Sequence, residues 1–192
     1  GYELALVTDI GTIDDKSFNQ GSWEGLVKYA EEKGISHQYY KPTEKSTDAY
    51  LSAIDLAVKG GAKIIVCPGF LFEEPVNIAM ETYPDVKFIA LDVAAGDLLE
   101  TAVAKAGEAY DYTPENWDLN KYVDMSNVYC AVYQEELCGY MAGYAAVKLG
   151  YKNLGFLGGM SVPAVVRYGY GFVQGVDAAA ADLGLTDVKV NY

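Results

Sequence analysis

The sequence predicts an α/β fold, a parallel sheet flanked by helices, and three observations lead there. Leu4 to Val7, Ile64 to Cys67 and Val86 to Leu91 are short, continuous apolar runs, the pattern of strands buried on both faces of a sheet. Between them fall amphipathic stretches of helical period, opened by capping residues or proline and stopped by glycine or proline. The links are short, so the chain reads as successive β-α units with right-handed crossovers.

The first run ends at Asp9. Ser17 with Gln20 three residues later fits a capping box, which predicts a helix beginning at Phe18. Trp23, Leu26, Val27 and Ala30 form the core-facing stripe of that helix, and Phe18 lies about 130° from the stripe's centre. An aromatic ring there has no core to enter. It stands instead at the carboxyl edge of the sheet beside Asp9, where open α/β sheets bind ligands. Gly34 closes the helix as a C′ glycine, and a weaker strand follows over residues 35–40, nearer an edge.

Ser46 or Thr47 caps the second helix, which turns Tyr50, Leu51, Ile54, Ala57 and Val58 inward and stops at Gly60-Gly61. The strand ending at Cys67 runs into the turn Pro68-Gly69-Phe70. Pro75 suits the first turn of a third helix that Pro84 halts, and the strand ending at Leu91 delivers Asp92. Residues 93–125 break the regularity and read as a surface excursion with one helix over residues 98–109. A strand at 127–133 and a helix at 135–149 follow, the latter carrying the small-residue stripe Gly139, Ala142, Gly143 and Ala146, a packing feature. Residues 155–159 read as strand and turn, Pro163 opens a helix to about Leu183, and a last strand covers 188–191.

A chain of 192 residues with 51% hydrophobic side chains has ample material for a core, and its net charge of -13 argues against nucleic acid or an anionic membrane as partner. No stretch reaches the apolar length of a membrane span, and Gly1-Tyr2-Glu3 leads almost directly into a strand, so any signal peptide is expected to have been removed or never to have existed. Cys67, Cys130 and Cys138 lack C-x-x-C spacing and read as buried free thiols. His37 is the single histidine, a surface or strand-edge residue, so a histidine relay or histidine-rich metal site lacks material.

Three strand ends thus bring Asp9, the Pro68-Gly69-Phe70 turn and Asp92 to one edge. Paired carboxylates beside an aromatic suit catalysis, the binding of a polar ligand's hydroxyls, or the capping of the turns that follow them. Two such acids together with an off-stripe phenylalanine favour a binding site.

The ordered motifs Asp9, Ile13-Asp14-Asp15-Lys16-Ser17-Phe18-Asn19-Gln20, Trp23-Glu24-Gly25, Phe88-Ile89-Ala90-Leu91-Asp92, Ala142-Gly143-Tyr144-Ala145-Ala146 and Gly155-Phe156-Leu157-Gly158-Gly159-Met160 resemble the basic membrane protein family. That family comprises substrate-binding lipoproteins of bacterial ABC importers, several of which bind purine nucleosides. The resemblance covers nearly the whole chain outside the excursion and implies a type I periplasmic-binding-protein fold, two α/β lobes with the ligand between them. It divides the chain into a first lobe at 1–126, its last strand and helix at 127–153 leading to the hinge, and an incomplete second lobe at 154–192.

Carried over by motif, Phe18 resembles the aromatic that stacks on the base and Asn19 the amide that bonds the base edge. Asp9 and Asp92 resemble the acids holding polar groups of the ligand, with Asp92 on the ribose. Tyr168, within Arg167-Tyr168 and Gly171-Phe172, resembles a second stacking aromatic, although the family usually has phenylalanine there. Phe70 lines the pocket or anchors its turn. The resemblance therefore implies an extracytoplasmic, lipid-anchored receptor with no catalysis and no cofactor, whose partners are a purine nucleoside and an ABC permease. A flavin or other heteroaromatic ligand, and a cytosolic ligand-sensing regulator on the same fold, are the alternatives. An enzyme would need a nucleophile, base or cofactor loop, and no G-x-G-x-x-G follows the first strand. Family members continue for a further hundred residues or more, so the chain is expected to be a fragment that binds weakly and self-associates through exposed apolar faces.

Overall fold

A computed structural model describes residues 1–192, the side chain of Pro114 excepted. The chain divides into two compact units, Gly1–Val132 and Tyr133–Tyr192.

The first unit is a five-stranded parallel sheet with spatial order β2-β1-β3-β4-β5. Its strands are β1 (Leu4–Val7), β2 (His37–Tyr40), β3 (Ile64–Pro68), β4 (Lys87–Leu91) and β5 (Val128–Ala131). They alternate with α1 (Phe18–Lys33), α2 (Thr47–Lys59), α3 (Glu73–Thr82) and α4 (Ala95–Lys105). Side-chain alternation divides the core between the two faces. Ala5, Val7, Ile65, Cys67, Phe88 and Ala90 pack with residues of α2, α3 and α4 in the larger core. Leu4, Leu6, Ile64 and Val66 pack on the other face with Leu26, Ala30 and Trp23 of α1. β2 forms the edge, where His37 is half-buried and its ring meets Trp23 at 5.5 Å.

Several local expectations shift. The Ser17 hydroxyl makes no capping bond; Asp15 takes over, its Oδ1 accepting from Ser17 N at 2.8 Å and Gln20 N at 3.1 Å. α4 starts earlier than expected because Asp97 Oδ2 accepts from Ala94 N at 2.7 Å, and Gly107 at φ 77° follows its end. The rest of the excursion contains the short helix α5 (Leu119–Tyr122) and an aromatic cluster of Tyr110, Tyr112, Trp117 and Tyr122. Asp111 Oδ1 accepts from Trp117 Nε1 at 2.7 Å and fixes that ring.

The second unit holds α6 (Glu135–Lys148), β6 (Asn153–Gly155), α7 (Pro163–Asp182) and β7 (Lys189–Asn191), with β6 and β7 parallel. Residues 156–159 leave the strand expected there, since β6 ends where its pairing with β7 ends. The segment 127–153, expected to close the first lobe, is divided: β5 joins the five-stranded sheet, while α6 packs on α7 in the second unit. Glycine explains that packing. A Cβ at Gly139 would lie 2.0 Å from the Tyr168 carbonyl oxygen, and one at Gly175 would lie 2.0 Å from that of Tyr140, so the two backbones touch directly. Cys67 is buried, as expected, and burial holds its thiol far above the ordinary range. Cys130 is only half-buried and Cys138 is exposed, because Cys138 lies off the glycine stripe that faces α7.

Candidate functional site

Strand order creates the site before any side chain is considered. From β1 the chain crosses to β2 on one side, and from β3 it crosses to β4 on the other, so the carboxyl ends of neighbouring β1 and β3 form a topological switch point. Crevices at such points are where open α/β sheets hold ligands. Asp9 leaves β1 there, and Gly69-Phe70 leaves β3. Asp92 leaves β4 alongside, its backbone N–H donating to Ala131 O while Gly69 N–H donates to Leu91 O, both at 2.8 Å.

Asp9 is held in place by the loop that follows it. Its Oδ1 accepts from Gly11 N and from Asn19 Nδ2, each at 2.7 Å, and its N–H donates to Asn19 Oδ1 at 3.2 Å. Asn19 also donates to Asp15 Oδ2 at 2.8 Å. Burial raises the Asp15 pKa, but bonds from Asn19, Gln20 and Ser17 outweigh that and leave it below the usual carboxylate value. The result is a closed bracket: Asn19 is 2% exposed and both of its donors are engaged. It therefore positions Asp9.

The other Asp9 oxygen looks toward β3. A Cβ added at Gly69 would lie 3.7 Å from Asp9 Oδ2, and Gly69 has φ 114°, a conformation that side chains resist. Glycine there lets the backbone turn sharply beside the carboxylate. Phe70 follows in a single 3-10 turn and is half-buried. Asp92 adopts φ 61°, the left-handed region that Asp tolerates better than most residues, and such conformations cluster at functional sites.

Phe18 opens α1 and remains 40% exposed, as its position off the stripe predicted. Tyr168 belongs to the second unit, on α7, where it is 39% exposed and stacks on Phe156 at 6.5 Å. Of the six residues singled out in the sequence, Asp9, Phe18, Asn19, Phe70 and Asp92 share the edge of the first unit. Sequence reasoning gave no site role to Asp15, Tyr50 and Glu73. Gly69 carried a signal in its Pro-Gly turn, whereas Tyr50 read simply as a core residue. Among the described residues no cluster of His, Cys, Asp and Glu has the arrangement of a metal site.

A family model described as ABC transporter substrate-binding protein PnrA-like matches residues 2–191. The chain belongs to the Bmp family. It is 28% identical over 186 residues to the ABC transporter nucleoside-binding protein BmpA of Lactococcus lactis, covering 94% of this chain and 45% of that protein. It is 27% identical over 185 residues to basic membrane protein A of Borreliella burgdorferi, covering 96% and 46%. An uncharacterized lipoprotein of Pyrococcus abyssi is 25% identical over 177 residues, 90% of this chain and 37% of that one. The chain spans about half the length of the curated relatives it matches.

A solute-binding protein of an ABC transporter system from Aeropyrum pernix superposes with TM-score 0.69 at 23% identity, over 100% of this chain and 46% of that one. The arabinose-binding protein AraP of Geobacillus stearothermophilus superposes with TM-score 0.63 at 13% identity, over 99% and 55%. The Bmp chain thus has the type I periplasmic-binding-protein fold that its motifs implied.

Proposed function

We propose that the full-length protein is an extracytoplasmic, lipid-anchored receptor that captures a purine nucleoside and passes it, chemically unchanged, to an ABC permease. The observation that carries this reading is the fixed Asp9 carboxylate at the switch point, with the Phe18 ring at the start of α1 and Asp92 at the neighbouring strand end. Stacking by Phe18 would recognise the base, while carboxylates accepting from hydroxyls would recognise the sugar. The Lactococcus lactis relative, a nucleoside-binding protein, supports the ligand class, and the lipoprotein relatives support the anchor. Tyr168 enters this reading as a further ring contact on the strength of its motif. The 192-residue chain alone is proposed to bind weakly and to self-associate through exposed apolar residues after about Gly155, such as Leu157 and Tyr170, which light scattering would test.

Calorimetry on the full-length protein tests the ligand. Guanosine, inosine or adenosine should bind more tightly than the free bases. Asp92→Ala should cost roughly 10- to 150-fold for nucleosides, the loss of a charged hydrogen-bond partner, and little for free bases. Equal losses for both would put Asp92 on the base. No binding of any nucleoside would overturn the reading.

A further inference from the structure

The side of the sheet edge nearest α2 contains a cavity of about 330 Å³, within the range of small-molecule sites. Lys45, Ser46, Tyr50, Phe70 and Glu73 line it. Phe70 connects this cavity to the ligand edge, because it follows Gly69, which abuts Asp9 Oδ2. Tyr50 and Glu73 contribute polar groups to its wall.

Tyr50 is 2% exposed, and its buried hydroxyl has no hydrogen-bond partner among the described residues. The ring itself is fixed against Phe72 at 5.0 Å. A tyrosine kept only for its ring would be replaceable by phenylalanine, and buried hydroxyls nearly always find a partner, so this one asks for a reason. Burial first, and then the charge of Asp9, raises the pKa of the phenol, which keeps it a donor and ties it electrostatically to the ligand edge.

Glu73 begins α3 and is half-buried. Burial, followed by the charges of Asp97, Glu100 and Asp92, raises its pKa to about 7. At neutral pH it can donate as well as accept. The same four carboxyl groups make this corner hostile to an added negative charge. Lys45 is the cation on the cavity wall, whereas the neighbouring Glu74 adds a further acid and bonds the Thr47 hydroxyl at 2.6 Å.

We propose that Tyr50 and Glu73, with Phe70 as the apolar wall, form a specificity subsite that takes an uncharged hydrogen-bonding substituent of the ligand and turns away an anionic one. This rests on the nucleoside reading above and names residues that reading did not use. Rejection of the wrong ligand comes from charge repulsion, and acceptance of the right one from satisfying the Tyr50 hydroxyl.

The test is calorimetry on the full-length protein with guanosine and guanosine 5′-monophosphate, for wild type, Tyr50→Phe and Glu73→Gln, with thermal melting alongside. Wild type should prefer guanosine. Tyr50→Phe should weaken guanosine about 3- to 10-fold, the loss of one neutral hydrogen bond, without lowering the melting temperature. Glu73→Gln should narrow the preference for guanosine over its monophosphate. Unchanged guanosine affinity in Tyr50→Phe, or an unchanged preference in Glu73→Gln, overturns the subsite and leaves the nucleoside reading standing. A wild type that binds no nucleoside overturns both.

Discussion

The loop leaving β1 and the loop leaving β3 meet at the same crevice but treat their polar groups in opposite ways. After β1, Asn19 and Asp15 satisfy one another and Asp9, and the helix start is capped by a carboxylate. After β3, the wall contains a Glu73 carboxyl held above its ordinary pKa, and α2 adds to that wall the buried hydroxyl of Tyr50, which has no partner among the described residues. A closed network fixes geometry, because each bond restricts the others, whereas groups left wanting partners or charge compensation are suited to meeting a ligand. One loop is the frame and the other the variable surface.

Breaking the frame should have the largest effect on stability. Asn19→Ala removes the amide that joins Asp9 to Asp15 and leaves the half-buried Asp9 N–H and two carboxylates short of partners. An expected loss of about 2–4 kcal/mol would lower the melting temperature by roughly 5–15 °C. A melting temperature within a degree of wild type would show that the bracket is unimportant. Gly69→Ala should cost about 1–2 kcal/mol through its backbone conformation, with little steric contribution, since the added Cβ would sit at an ordinary 3.7 Å from Asp9 Oδ2. Denaturant unfolding would measure that difference.

Glu73 should reveal the other loop through pH. The folded protein holds the Glu73 proton more tightly than the unfolded chain does, so this residue lowers stability as pH rises from its ordinary value of 4.5 to about 7, and no further above that. Glu73→Gln should therefore stabilise by roughly 1–2 kcal/mol at pH 8, an amount discounted for partial exposure, and by almost nothing at pH 4. Equal effects at both pH values would contradict the assigned shift. Smallest of all, Tyr50→Phe should leave stability unchanged or raise it by up to about 1 kcal/mol, since it removes a buried hydroxyl that has no bond to lose. A clear destabilisation would reveal a partner for the hydroxyl in solution.

The same contrast explains what could be read from the sequence. Strands β1, β3 and β4 announced themselves as apolar runs, and the caps at Ser46 and Pro163 are local chemistry visible within a few residues. The exposure of Phe18 followed from helical period alone. The Asn19 bracket did not, since it depends on a loop that folds Asp9 and Asp15 onto one amide from ten and four residues away. Asp15 displaced Ser17 as the cap for the same reason. Tyr50 was correctly read as an inward residue, but whether its hydroxyl finds a partner is decided by β3 and α3, distant in sequence. The packing of α6 on α7 was equally hidden, because glycines at 171 and 175, more than twenty residues on, supply the groove into which α6 fits.

The central claim is that the carboxyl edge of the first unit is a ligand surface with Phe18 as its stacking ring. Titrating guanosine into full-length wild type and Phe18→Ala, with melting curves for both, tests it most directly. Phe18 is 40% exposed at the first position of α1, so its removal should leave the melting temperature nearly unchanged. Loss of one base-stacking ring should weaken guanosine by roughly 5- to 150-fold. Unchanged affinity together with a lowered melting temperature would make Phe18 a structural residue and contradict the account.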